Sequence, residues 1–247
     1  MGIVLAGGGS TRLGPAGGAG GKPWLTFDGR TFLERVVAAI APEVGSVIVV
    51  AAAGQSLPAV PAARIVCDRV PGAGPLSALG DGLRAANAGS AGLIAPPLAI
   101  VASCDLPLVR REVVALLVAR GLASGALWTV PEVHGHPQVL LSAVRPTVVP
   151  RIEAWLAAGR RDLRGLVARL AEEDAAAVDL VPEETLAAVD PRFESFADVD
   201  TPADLERLRG GGIGARASGG LRDQTGGGLR DDSGGGLCDD SGGGLRG

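Results

Sequence analysis

At 247 residues, 47% apolar and only 3% aromatic, the chain can fill one sizeable domain, with an interior built from Val, Leu, Ala and Ile. Its net charge of −4 excludes a broad nucleic-acid surface, which needs a basic face, and no apolar run reaches membrane-spanning length uninterrupted. The first strand starts at residue 2, so no signal segment is expected. Cys67, Cys104 and Cys238 lack a C-x-x-C spacing and read as reduced thiols of a cytoplasmic protein.

Residues 2–6 open the chain as an apolar strand. A glycine-rich run follows, Gly7-Gly8-Gly9-Ser10-Thr11-Arg12-Leu13-Gly14, then residues 15–21, then Lys22, the only lysine among 23 basic residues. Thr31 and Glu34 form a capping box for a helix whose apolar stripe is Leu33, Val36, Val37 and Ile40. Residues 46–52, 64–67 and 98–104 are further strands, apolar on both faces, as in a parallel sheet covered by helices. Helices are expected over 75–88 and 109–123, completing the rhythm of a doubly wound α/β sheet.

The second half is more mixed. Residues 136–143 read as a strand, 146–158 and 162–171 as helices (the latter with Asp162 as N-cap), and 193–199 as a strand. Thr201-Pro202-Ala203-Asp204 then starts a helix ending near Arg209. From Gly210 the composition changes: Leu221, Leu229, Leu237 and Leu245 recur every eight residues among glycine triplets. One leucine per eight residues cannot bury a face. The expected organisation is one domain over 1–209 and a disordered, low-complexity Gly-rich tail over 210–247.

A strand leading into bare backbone N–H groups with one arginine and one lysine suits a triphosphate. A flexible loop with a solvated lysine is the plainer alternative. A Walker A loop is excluded because Ala16 and Pro23 occupy its glycine and hydroxyl positions. A dinucleotide fingerprint is excluded because Arg12 stands where its third glycine belongs. Arg12 and Lys22 can neutralise a triphosphate and the charge that develops at its α-phosphorus. Asp105 follows a strand at the carboxyl edge of the sheet, where open α/β folds place ligands, and can hold Mg²⁺. Asp200, also after a strand, can supply a second metal contact. Turn and cap roles are the alternatives for both. His134 and His136 make an H-x-H pair without a third ligand nearby, so zinc is not favoured. Cys104 reads as a buried apolar residue rather than a nucleophile.

The first segment resembles the signature L-A-G-G-x-S-x-R-x-G…K-x-x-L of the molybdenum cofactor guanylyltransferase family of nucleotidyltransferases, here Leu5 to Gly14 and Lys22 to Leu25. Four more blocks fall in that family's order: Asp68 before Gly72-Ala73-Gly74-Pro75-Leu76, Cys104-Asp105-Leu106-Pro107, His136-Pro137, and Asp198-Val199-Asp200-Thr201-Pro202. The resemblance covers about residues 2–209. It implies a Rossmann-like nucleotidyltransferase fold and transfer of GMP from GTP to the molybdenum–molybdopterin cofactor with Mg²⁺, releasing pyrophosphate. It further implies nucleotide contacts from Leu5, Ala6, Gly7, Lys22, Asp68 and Asp105, and catalysis by Arg12, Lys22 and Asp105. His136 would border the acceptor pocket. Charge, cysteine usage and the lack of a long apolar run give the expectation of a cytoplasmic protein that meets no nucleic acid or membrane; a monomer with a protein partner that receives the cofactor is expected.

Three departures bear on these expectations. Seven residues separate Gly14 from Lys22, more than the family usually has. Residues 51–54 are Ala-Ala-Ala-Gly where the family tends to place asparagine, and Asp198 and Asp200 replace asparagines. A CTP-dependent cytidylyltransferase, a transferase acting on another phosphorylated acceptor, or a non-catalytic nucleotide- or pterin-binding module are the competing readings.

Overall fold

The structure, a computed structural model, describes residues 1–7, 18, 20–70, 72–88 and 97–211. The expectations for Arg12 and, from residue 212 onward, the glycine-rich tail lie outside the described residues.

In chain order the elements are β1 (Gly2–Leu5), β2 (Thr26–Phe27), β3 (Arg30–Thr31), α1 (Phe32–Ile40), β4 (Val47–Ala51), β5 (Ala63–Cys67), α2 (Pro75–Ala88), β6 (Ala99–Ser103), α3 (Arg111–Ser124), β7 (Trp128–Val133), β8 (His136–Pro137), β9 (Leu141–Val144), α4 (Val149–Ala157), α5 (Leu163–Glu173), β10 (Val178–Val181), α6 (Glu183–Ala187) and α7 (Pro202–Arg209). Short 3₁₀ turns at Lys22–Trp24 and Glu194–Phe196 complete the parts that matter for the site. The main sheet runs β10-β7-β9-β6-β1-β4-β5, with β8 paired to β7. Only β9 runs against its neighbours in that row, so the sheet is mixed and mostly parallel.

The two-sided apolar strands explain the layering. Val4 of β1 and Ala6 just after it face a core shared with α1 and α3, among them Leu33, Val36, Ile40, Val113 and Leu117. Ile3 and Leu5 face the opposite core, with Leu76, Leu79 and Leu83 of α2 and Ile152 of α4. Gly82 lets α2 lie close on the sheet: a Cβ there would stand 2.7 Å from the Ile3 Cγ2. A third, smaller cluster joins Leu25 and Phe32 to Val199, Leu205 and Leu208. That cluster clamps α7 beside the Lys22 turn. The expected capping box of Thr31 with Glu34 forms, and at the expected helix start Thr201 makes a second one with Asp204.

The second half corrects several expectations. The strand expected over 136–143 splits into β8 and β9. It is preceded by β7, which the sequence reading missed. The β7–β8 turn has His134 and Gly135 both at positive φ, 53° and 71°, as a two-residue type I′ hairpin requires. Residues 193–199 do not form a strand. The buried Asp190 carboxylate accepts from the amides of Glu194 and Ser195 at 3.1 and 2.8 Å, which winds this segment into a 3₁₀ turn. Asp162 does precede α5, but its side chain makes no capping bond. Cys104 is a free buried thiol as expected, whereas Cys67, expected as a free thiol, is disulfide-bonded.

Candidate active site

Parallel strands β6, β1, β4 and β5 end together, and the residues just after them form one edge. Leu5 pairs with Ser103, and the Cys104 amide donates to the Leu5 carbonyl at 3.0 Å. Asp105 is thereby set beside the end of β1. Its own carbonyl accepts from the Val199 amide at 3.0 Å, which draws in the loop that carries Asp198 and Asp200. Val199 is fully buried, so the two acids flank a residue anchored in the core. Arg35 braces the other side of the Asp105 turn: its Nε donates to the Pro107 carbonyl at 2.8 Å, while its guanidinium lies 4.8 Å from the Phe27 ring centroid.

Lys22 enters this corner from the 3₁₀ turn. Its ammonium donates to Asp105 Oδ2 at 2.8 Å and to Asp200 Oδ1, uniting residues 83 and 178 positions apart. All three side chains are largely buried, with 16–26% of their surface exposed. Burial alone would lower the lysine pKa, but the charges and hydrogen bonds of Asp105 and Asp200 outweigh it and raise it above the ordinary value. Asp198 is reached by solvent yet crowded by protein. Desolvation, then repulsion from Asp105 and Asp200, pushes its carboxyl above the usual aspartate range.

Asp198→Asn is therefore expected to stabilise the nucleotide-free protein by a few degrees in melting temperature at pH 7.5. A raised folded pKa means that the native state loses stability as pH climbs above the ordinary aspartate value of 3.8. The gain from asparagine should vanish near pH 3.5. Melting curves across pH check it; a variant no more stable at neutral pH would show that Asp198 is not under this repulsion.

Cys104 lies next to this cluster, but burial, then the Asp105 charge, raises its thiol pKa far above the physiological range. Burial and the neighbouring charge both disfavour its thiolate, in keeping with a buried apolar residue rather than a nucleophile. The oxygen-only set of Asp105, Asp198 and Asp200 suits a hard divalent cation. Among the described residues no group of three acid, histidine or cysteine side chains is arranged to hold a metal ion by itself. A cation here would need oxygens from a substrate as well, the usual coordination of Mg²⁺.

Farther along the edge, Gly7 follows β1 and packs on the chain after β4: a Cβ on it would lie 3.2 Å from the Ala52 nitrogen. Asp68, after β5, is three strand positions from β6, about 14 Å at ordinary strand spacing. It is buried and sits against Asp81 of α2, which accepts from the Arg69 amide and guanidinium at 2.9 and 2.7 Å and from Arg84 at 2.5 Å. Burial, together with Asp81, raises the Asp68 pKa, although the Val70 amide donates to it. Burial would raise Asp81 too, but these donors hold it below the usual range.

Lys22, Asp105 and Asp200 thus meet in one corner; Leu5, Ala6 and Gly7 adjoin it; Asp68 shares the edge at a distance. His136 is placed in the β8 hairpin, and His134 packs edge-on against Phe193, 5.8 Å between ring centroids. Arg35 and Gln55 were missed by the sequence reading. Gln55 follows the Ala-Ala-Ala-Gly stretch noted there, and its amide bonds to Ala6 and Ala52.

Among proteins of known structure, the chain resembles the molybdopterin-guanine dinucleotide biosynthesis protein A of Archaeoglobus fulgidus, with a TM-score of 0.65 and 23% identity over 85% of this chain and 97% of that one. A Mycobacterium tuberculosis protein solved in complex with manganese superposes with a TM-score of 0.53 at 18% identity, covering 85% and 97%. In sequence, a probable molybdenum cofactor guanylyltransferase of Mycobacterium avium is 34% identical over 211 residues, 84% of this chain and 93% of its relative. The profile of the MobA-like NTP transferase domain matches residues 2–175, from the first strand past the Asp105 turn and into the mixed half of the sheet. Fold, profile and relatives agree, and the chain belongs to the MobA-like NTP transferase family.

Proposed function

We propose that this chain transfers GMP from GTP to the terminal phosphate of a molybdenum–molybdopterin cofactor, in the assembly of that cofactor. The observation that supports it most is the convergence of Lys22, Asp105 and Asp200 at the carboxyl edge of the sheet, beside the backbone of Leu5 to Gly7. The name shared by the relatives points to the same reaction. An acceptor phosphate oxygen attacks the α-phosphorus, the bond from that phosphorus to the bridging oxygen breaks, and pyrophosphate leaves with the electron pair. The acceptor is already a nucleophile, so alignment and charge neutralisation suffice.

In this reading the base and ribose lie toward Gly7 and Asp68, and the phosphates lie toward Lys22. With nucleotide bound, the Lys22 ammonium would face the phosphates, and Asp105 and Asp200 would be the residues to hold Mg²⁺. Bound there, the metal would offset the negative charge of the triphosphate. Arg12 is assigned to the phosphates with Lys22. The catalytic domain is residues 1–209, and the protein works as a cytoplasmic monomer that hands its product to a cofactor-receiving partner.

The test is a competition among the four nucleoside triphosphates with Mg²⁺ and a phosphorylated pterin acceptor, read as dinucleotide product and pyrophosphate. GTP is expected to dominate. Preference for CTP would make the enzyme a cytidylyltransferase, and nucleotide binding without pyrophosphate release would make it a binding module.

A further inference from the structure

The Gln55 carboxamide spans the ends of two adjacent strands. Its Oε1 accepts from the Ala52 amide at 2.9 Å and its Nε2 donates to the Ala6 carbonyl at 3.0 Å. The orientation of the amide follows from its partners, since an N–H needs the oxygen and a carbonyl needs the nitrogen. These two bonds fix two peptide planes. The Ala6–Gly7 peptide is held at its carbonyl by Gln55 and at its N–H by the Val50 carbonyl, 3.2 Å away. The Ala51–Ala52 peptide is held at its N–H by Gln55 and at its carbonyl by the Asp68 amide, at 2.7 Å. Gln55 therefore links the ends of β1 and β4, and through Ala51 the chain of links reaches Asp68 at the end of β5.

The bonding also decides what the main chain can offer there. The Ala6 amide donates to Val50 at 2.9 Å, so the N–H groups of Ala6, Gly7 and Ala52 are all committed within the protein. An N–H has one hydrogen to give, so a base meeting Ala6, Gly7 and Ala52 finds no spare main-chain donor, whereas the Ala6 and Ala51 carbonyls, each bonded once, by Gln55 and by the Asp68 amide, keep a second lone pair. Guanine alone among the four common bases carries two adjacent donors, N1–H and the N2 amino group, on its pairing edge.

We infer that Gln55 is a positioning residue for guanine selection: it holds the Ala6–Gly7 and Ala51–Ala52 peptides so that the base end of the site presents acceptors and withholds donors. This rests on the base lying beside Leu5–Gly7, as proposed above. Removing the carboxamide frees the Ala52 N–H and lets the Ala6–Gly7 peptide turn.

The test compares wild type with Gln55→Ala and the isosteric Gln55→Glu, using GTP, CTP and ITP, which lacks the N2 amino group. Gln55→Ala should raise KM for GTP about tenfold, the worth of roughly one hydrogen bond, with kcat within about twofold. Its preference for GTP over ITP and CTP should narrow. Glutamate can still accept from Ala52 but cannot donate to Ala6, so Gln55→Glu should lose as much as alanine. A lower melting temperature or kcat with an unchanged GTP-to-ITP ratio in both variants would reduce Gln55 to a structural brace and overturn the inference. So would an unchanged KM for GTP. Calorimetric titration with GTP alone reads the same shift in affinity. A wild type that binds GTP but transfers nothing would thus count against the guanylyl-transfer reading and leave Gln55 to be judged on binding, whereas a wild type that binds no nucleotide would overturn both.

Discussion

Replacing Asp105 with asparagine should lower guanylyl transfer by about 10³-fold, some 4 kcal/mol of transition-state stabilisation. Asparagine keeps the shape of the turn, because the contact with Val199 is made by the backbone of residue 105. What it removes is the negative charge that holds the Lys22 ammonium at 2.8 Å and would hold a divalent cation. The protein should stay folded, and GTP should still bind. In single-turnover assays the step that releases pyrophosphate should slow, and the Mg²⁺ concentration for half-maximal rate should rise. If Asp105→Asn kept a tenth of wild-type turnover with an unaltered Mg²⁺ dependence, Asp105 would be only a structural partner of the lysine.

Lys22→Ala should reduce kcat/KM by about 10²- to 10³-fold, in the range of losses seen when one donor that stabilises developing charge is removed. Lys22→Arg should recover little of it. The space between Asp105 and Asp200 is narrow and mostly buried, and it fits a compact ammonium rather than a planar fork. The same variants should show a stability signature. The raised pKa of Lys22 means its ion pairs contribute fully below the ordinary lysine value of 10.5 and are lost only as pH rises beyond it. In Lys22→Ala, Asp105, Asp198 and Asp200 lose this shared counter-charge, so the deficit should be largest at neutral pH and shrink on acidification as Asp198 takes up its proton. Melting temperatures of wild type and variant from pH 4 to 8 would show this convergence; a constant gap would mean that Lys22 matters only for packing.

Much of the fold could be read in advance because its first half is governed by local rules. Strands such as Val47–Ala51 are buried on both faces, and their unbroken apolar character is the mark of a covered parallel sheet. The Thr31 and Thr201 boxes needed only residues three apart. The second half resisted for physical reasons. β7 contains Pro131, which argues against a strand, yet its neighbours pair with β9 and β10 on either side. Phe193 to Val199 reads as a strand, but no strand among the described residues pairs with it, and the Asp190 carboxylate decides its course. At the site, Lys22 and Asp105 stood out by residue type and position. Gln55 and Arg35 did not, because each acts through a backbone group whose location depends on tertiary structure. Asp198 looked like a substituted motif position, and only packing revealed that it crowds two other acids.

The clamp between α7 and the Lys22 turn has a consequence for how the protein comes into being. Leu205 and Leu208 cover Leu25 and Phe32, and Asp200 is delivered by the same stretch. During synthesis the amino-terminal βαβ layers can dock long before that stretch exists, so the nascent polypeptide carries an open apolar flank and an incomplete acid pair until translation passes residue 208. A nascent chain stalled before Asp198 should therefore bind the dye ANS, and lose it once α7 seats: a late-made helix acts as the latch on an early turn.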